Sequence, residues 1–192
     1  MRIVAGAWRG RNLVAPTGDV TRPTADRVRQ ALFDQLQHAP WAGRATLEGA
    51  EVLDAFAGTG ALGLEALSRG AARAHFIETD RFALVALRAN IAACKAGDQC
   101  SVMPGSALRP RAGVPCGLVF LDPPYGMGLV PQALAALRAA GWIADGALLV
   151  VETGRDEIVE EIGALLDERV HGAARIGVWR LAIGGGTDRS TS

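Results

Sequence analysis

The chain has 192 residues, 49% of them hydrophobic, and carries 20 basic against 20 acidic side chains. That length suits one domain with at most a small appendage, and a net charge of zero excludes a global basic field. No apolar run reaches the about 20 residues of a membrane-spanning helix, and the start, Met1 to Gly6, has no long apolar signal core. The three cysteines, Cys94, Cys100 and Cys116, show no CxxC spacing. They predict reduced, buried thiols in a cytoplasmic protein, with no metal site.

The charge is unevenly spread. Residues 1–30 hold Arg2, Arg9, Arg11, Arg22, Arg27 and Arg29 against Asp19 and Asp26, a local excess of +4. Lys95 is the single lysine of the chain, so arginine use by itself says little. The clustering says more, because a local positive patch suits a phosphate backbone.

In chain order, residues 1–15 alternate loosely around Gly6, Trp8 and Gly10, which predicts a short hairpin. Pro16 to Pro23 is turn-rich, and Thr24 is the expected N-cap of a helix over about 24–37, where Val28, Leu32 and Leu36 repeat at helical spacing. Residues 38–50 read as loop. From Glu51 strands alternate with helices. Val52–Phe56 is a strand, a Gly-rich turn leads into a helix stopping near Arg69-Gly70, and Ala74–Ile77 is a second strand. Asp80 caps a helix to about Lys95, which Gly97 terminates, and Gln99–Met103 is a third strand. Leu118–Asp122 is the fourth, a helix covers roughly 130–140, and Ala147–Val151 is the fifth. Asp156–Leu166 reads as helical, and Val170–Ile183 as two strands joined near Gly172 to Gly177. Gly184–Ser192 is a polar tail expected to be disordered. The alternation predicts an α/β fold with a mainly parallel sheet, and the tight final connection requires one antiparallel strand.

Gly58-Thr59-Gly60-Ala61-Leu62-Gly63 matches GxGxxG between a strand and a helix. Glu78 lies twenty positions beyond Gly58, at the end of the second strand, where an acid can take both hydroxyls of a ribose. An adenosine-containing ligand follows, but the motif does not choose between NAD and S-adenosylmethionine. Asp54, four residues before Gly58, favours the second. An acid aimed at the ligand would repel a pyrophosphate and suits a cationic amino-acid tail. Plain capping or solvated roles are the structural alternatives for Asp54 and Glu78. Ser106 and Ala107, after the third strand, fall where an adenine ring would lie, though a loop serine there needs no ligand.

The fourth strand ends in Asp122-Pro123-Pro124-Tyr125. Two prolines fix φ near about −65° and hold one extended shape just past a buried strand, at the sheet edge where ligands of open parallel sheets bind. Asp122 and the Pro123 carbonyl can accept hydrogen bonds from an amino group, and Tyr125 can stack on a flat ring. This geometry suits an exocyclic amine on a nucleobase. The alternative is a tight turn with a capping Asp.

At this point the chain resembles a known family. Arg2-Ile3-Val4-Ala5-Gly6-x-Trp8-Arg9-Gly10-Arg11, Arg22-Pro23-Thr24-x-Asp26-Arg27-Val28-Arg29 and Asp54-Ala55-Phe56-Ala57-Gly58-Thr59-Gly60 through Gly70 are similar to bacterial 16S rRNA guanine-N2 methyltransferases of the RsmD type. Asp122-Pro123-Pro124-Tyr125 is shared with many amino methyltransferases. The resemblance implies a Rossmann-like class I S-adenosylmethionine-dependent methyltransferase with a seven-stranded sheet over residues 51–183, and an RNA-contacting extension over 1–50. It implies methylation of one guanine amine, position 966 of 16S rRNA in the usual numbering, on the small ribosomal subunit or its assembly intermediate, by a monomer. Asp54, Phe56, Ala57, Gly58, Thr59, Gly60, Glu78, Thr79, Ser106 and Ala107 would hold the cofactor. Asp122, Pro123, Pro124 and Tyr125 would carry the chemistry. Arg9, Arg11, Arg22, Thr24, Arg27 and Arg29 would meet RNA. Trp8 would stack on a base or pack the extension down. Two positions depart from the family pattern: Gln30 stands where Glu is usual, and Ser106 where Asn or Asp is usual. An amino methyltransferase acting on another RNA, DNA or protein, and a non-catalytic RNA-binding module, are the competing readings.

Overall fold

The computed structural model describes residues 1–15, 23–159 and 162–182. Its strands are β1 (Glu51–Asp54), β2 (Arg73–Glu78), β3 (Cys100–Pro104), β4 (Cys116–Leu121), β5 (Ile143–Gly154), β6 (Ala164–His171) and β7 (Ala174–Arg180). The helices are α1 (Pro23–His38), α2 (Ala61–Ser68), α3 (Arg81–Cys94) and α4 (Leu129–Ala139). One seven-stranded sheet runs β3-β2-β1-β4-β5-β7-β6. β1 to β5 pair in parallel, and β7 runs antiparallel to both β5 and β6. The order reverses between β1 and β4. Their carboxyl ends therefore diverge into a crevice, the place where open α/β sheets bind ligands.

The central strands are continuous apolar runs because both faces are covered. Leu118 and Phe120 of β4 join Val52, Phe76, Leu148 and Val150 beneath α1, α2 and α3. Val119 and Leu121 face the other way, with Leu53, Leu149 and Val151, onto α4. Gly63 lets α2 lie directly on β2, for a Cβ there would sit 2.3 Å from the Phe76 ring.

Three local expectations are corrected. α1 begins at Pro23, whose missing N–H is harmless in a first turn, so Thr24 lies inside the helix rather than capping it. α3 is capped by Asp80 as expected, but its left-handed exit residue is Lys95, at φ 55°, and Gly97 only opens a short 3-10 turn. Asp156–Leu166 forms no helix among the described residues: 155–159 are turn and coil, and β6 already starts at Ala164. Cross-strand pairing wins there, with Leu165 opposite Trp179 and Asp167 opposite Val178. The final hairpin consequently turns at Gly172-Ala173, and Gly177 lies within β7 against the Trp179 ring. The 184–192 tail lies outside the described residues.

The first residues close into the expected hairpin, with Ile3 N–H donating to Arg11, Gly10 N–H to Ile3 and Leu13 N–H to Met1. A buried carboxylate anchors it. Glu65 of α2 is fully buried and accepts from Val4 N at 2.8 Å, Ala5 N at 3.1 Å and Arg69 Nε at 2.8 Å. Ser68 Oγ accepts from Trp8 N and donates to the Ala5 carbonyl. Ile3, Leu13, Leu32, Leu36 and Leu47 share one hydrophobic cluster with the sheet, and Trp8 packs against it.

Candidate active site

A cleft of about 610 Å³ opens at the carboxyl ends of β1, β4 and β5, lined among others by Asp54, Gly58, Thr59, Asp122, Tyr125 and Glu152. β1 delivers Asp54 to its floor, and the chain then turns through Gly58 at φ 52° and Gly60 at φ 80°. Both angles favour glycine. Nothing lies within 4 Å of a Cβ built on Gly58, whereas one on Gly60 would strike Leu87. The turn is thus open on one side and tightly packed on the other.

Asp54 Oδ2 accepts from Gly63 N at 3.0 Å, satisfying an amide in the first turn of α2 that no N-cap side chain reaches. Asp54 thus acts as the cap of α2 and at the same time lines the cleft. Burial pushes its carboxyl up to about 7; the Gly63 bond opposes this and Glu78 adds to it. Glu78 is bound to the turn itself. Its Oε2 accepts from Gly58 N at 2.7 Å, and its Oε1 from the amides of Thr79 and Asp80, both at 2.7 Å. Glu78 therefore fixes the shape of the Gly-rich loop. Phe56 and Ala57 line the cleft, and the Ala57 amide bonds the Ile77 carbonyl.

Asn90 was not singled out by the sequence, where it is one polar residue on an apolar helix. It is fully buried on α3. Its amide donates to the Thr59 and Val14 carbonyls and accepts from Val14 N. It ties the Gly-rich loop to the amino-terminal hairpin.

Asp122 follows β4 directly. Burial, Glu152 and Asp54, in that order, hold its carboxyl well above the usual carboxylate range. Pro123 is buried and Pro124 exposed. Tyr125 is 45% exposed, and its hydroxyl donates to Glu152. Burial and the Glu152 bond push the phenol up. Glu152 itself escaped sequence reasoning. The available signal was a lone acid ending the apolar run Leu148 to Val151.

Other expected site residues are dispersed. Ser106 Oγ accepts from Leu108 N and closes its own turn, lining a second cavity of about 260 Å³ with Ile77 and Arg109, while Ala107 is core. Neither lines the main cleft. Arg9 and Arg27 line a groove of about 620 Å³ with Arg2 and Gln30, beside the hairpin. Arg11 donates to the Ala93 carbonyl at the end of α3 instead. Arg29 is corrected: it is 6% exposed, pairs with Asp26 at 2.8 Å, donates to the Arg2 carbonyl and lies 3.8 Å from Glu65. Asp26 and Glu65 hold its guanidinium inside the fold, where Arg29 also lines the main cleft. Arg22 and the Thr24 side chain lie outside the described residues.

The family model described as conserved hypothetical protein 95 matches residues 1–180. Ribosomal RNA small subunit methyltransferase D of Escherichia coli K12 is 45% identical over 155 residues, covering 80% of this chain and 74% of that one. The Haemophilus influenzae protein of the same name is 38% identical over 179 residues, covering 90% and 89%. The solved Escherichia coli structure of yhhF, named there as a methyltransferase, superposes with a TM-score of 0.81 at 40% identity, over 96% of this chain and 99% of that one. The Thermus thermophilus 16S rRNA N2 G1207 methyltransferase RsmC, solved with AdoMet and guanosine, gives 0.63 at 19% identity over 86% of this chain and 44% of that one, a likeness of fold.

Proposed function

Because the chain belongs to the RsmD family of ribosomal RNA small subunit methyltransferases, we propose that it transfers a methyl group from S-adenosylmethionine to the exocyclic N2 amine of guanine 966 in 16S rRNA. The observation that carries this reading is the meeting, in one cleft, of the Gly-rich turn after β1 with Asp122 and Tyr125, the two ends of the Asp-Pro-Pro-Tyr stretch after β4.

The donor set fits that cofactor. Asp54, Asp122 and Glu152 line the cleft, and mutual repulsion helps to raise Asp122. A cationic ligand relieves this repulsion, whereas the pyrophosphate of NAD would add to it. Asp54, Phe56, Ala57 and the Gly58–Gly60 turn would hold S-adenosylmethionine, with Glu78 and Thr79 toward its ribose; Ser106 and Ala107, which do not line this cleft, stand outside the set. When bound, it supplies an electrophilic methyl on a cationic sulfur.

The chain's own residues do the rest. The guanine N2 lone pair is delocalised into the ring and is a poor nucleophile. Hydrogen bonds from its N–H groups to the Asp122 carboxylate and the Pro123 carbonyl return density to nitrogen and fix its direction. Alignment of this kind supplies much of the rate. The amine proton leaves after transfer, toward an Asp122 oxygen whose affinity for it is raised by burial. Tyr125 offers its half-exposed ring to a base turned out of its helix or loop. Arg9 and Arg27 meet phosphates from the groove beside the hairpin, so residues 1–50 hold the RNA and residues 51–183 perform the transfer.

The test is transfer of labelled methyl to small subunits purified from cells lacking the enzyme, with naked 16S rRNA and DNA beside them. Label on a single guanine N2 in the subunits is the expected result. Cofactor binding without label on any of the three would overturn the reading.

A further inference from the structure

Glu152 has a geometry that the transfer step alone does not use. The β4–β5 register pairs Phe120 with Val150 and Leu121 with Val151, so Asp122 and Glu152 are the next residues in line on neighbouring strands. Both line the cleft. The Glu152 backbone is held opposite Ile176 of β7, and the Tyr125 hydroxyl donates to its Oε1. The carboxylate is therefore oriented, with Oε2 left for a ligand beside Asp122.

Two adjacent carboxyl groups, each with an accepting oxygen, match one base. Guanine presents N1–H and the N2 amine side by side, two donors in a row. Adenine places the acceptor N1 beside its amine, and cytosine places the acceptor N3 beside its amine. When either amine reaches Asp122, the neighbouring ring nitrogen turns a lone pair toward a second carboxylate. We infer that Glu152 is the specificity-determining residue for guanine, accepting N1–H through Oε2 while Asp122 accepts from the N2 amine. This rests on the guanine-N2 reading above. A site built to pair a donor rejects the analogue lacking it, because its own buried acceptor is left unmatched.

The experiment uses small subunits reconstituted with 16S rRNA carrying either guanine or 2-aminopurine at the target. 2-Aminopurine keeps the amine but has an acceptor at N1. Wild type should prefer guanine in kcat/KM by roughly 10- to 100-fold. Glu152→Gln can donate its amide N–H to that N1, so the preference, read as a ratio at saturating S-adenosylmethionine, should collapse or invert. An undiminished guanine preference in Glu152→Gln, or no preference in wild type, would overturn the inference. If Glu152→Gln is inactive on both, Tyr125→Phe decides: freeing the carboxylate should lower the preference partway, and an unaltered ratio counts against it. Failure of wild type on guanine subunits would instead sink the functional reading itself.

Discussion

Asp54→Asn tests the electrostatics of the cleft without emptying it, because the amide oxygen can still accept from Gly63. Asp54 is 2% exposed, and its carboxyl is raised from 3.8 to about 7, chiefly by burial. A carboxyl with a raised folded-state pKa holds its proton more tightly in the folded chain. Its contribution to stability is complete below about pH 4 and is lost as pH rises to about 7. At about 1.4 kcal/mol per pH unit, levelling off as the folded carboxyl itself ionises near pH 7, the ligand-free protein loses about 2–3 kcal/mol to this group between pH 5 and pH 8. For a domain of this size that corresponds to roughly 5–10 °C in Tm. Melting curves of both proteins at pH 5 and pH 8, without cofactor, measure it. The two should nearly coincide only below about pH 4, and between pH 5 and pH 8 the Asn variant should gain on wild type by that amount. Parallel pH profiles would refute the reasoning. Affinity for cationic S-adenosylmethionine should rise through pH 7 in wild type and flatten in the variant.

Three further outcomes follow from the interactions described. Asp122→Ala should lose methyl transfer by at least ~100-fold while cofactor affinity, read by calorimetry, stays within a few-fold; near wild-type turnover would remove Asp122 from the chemistry. Replacing Arg9 and Arg27 by Ala should weaken RNA binding and flatten its log–log salt dependence by about 0.7–0.9 for each phosphate no longer neutralised, and an unaltered slope would put the RNA elsewhere. Glu65→Ala should cost about 3 kcal/mol in denaturant melts, because it takes from Arg69 its buried partner at 2.8 Å and leaves the Val4 and Ala5 amides without their acceptor, while Asp26 and Asp34 still pair Arg29 and Arg69. A cost below about 1 kcal/mol would mean that the hairpin does not depend on this anchor.

Much of the site was legible because its causes are local. Gly58 and Gly60 adopt angles that favour glycine, and the apolar run before Asp-Pro-Pro-Tyr reads as a buried strand that the prolines end abruptly. Strand and helix alternation then sufficed for the sheet and its antiparallel β7. Local preference failed where tertiary pairing outweighed it. Asp156 to Leu166 reads as helical in isolation, yet β7 offers β6 a full ladder, and Lys95 exits α3 although glycine stands two residues later.

The sequence by itself determined the fold class, the Gly-rich turn after β1 and the abrupt end of β4 at Asp122-Pro123-Pro124-Tyr125, since each is specified by residues close together in the chain. The tertiary structure alone decided which charges are free. Arg9, Arg27 and Arg29 look alike in sequence, but only Arg29 meets Glu65, thirty-six residues away, and is consumed by the core. Asp54, Asp122 and Glu152 likewise stand far apart along the chain. Strand order brings them into one cleft, where burial raises the carboxyls of Asp54 and Asp122.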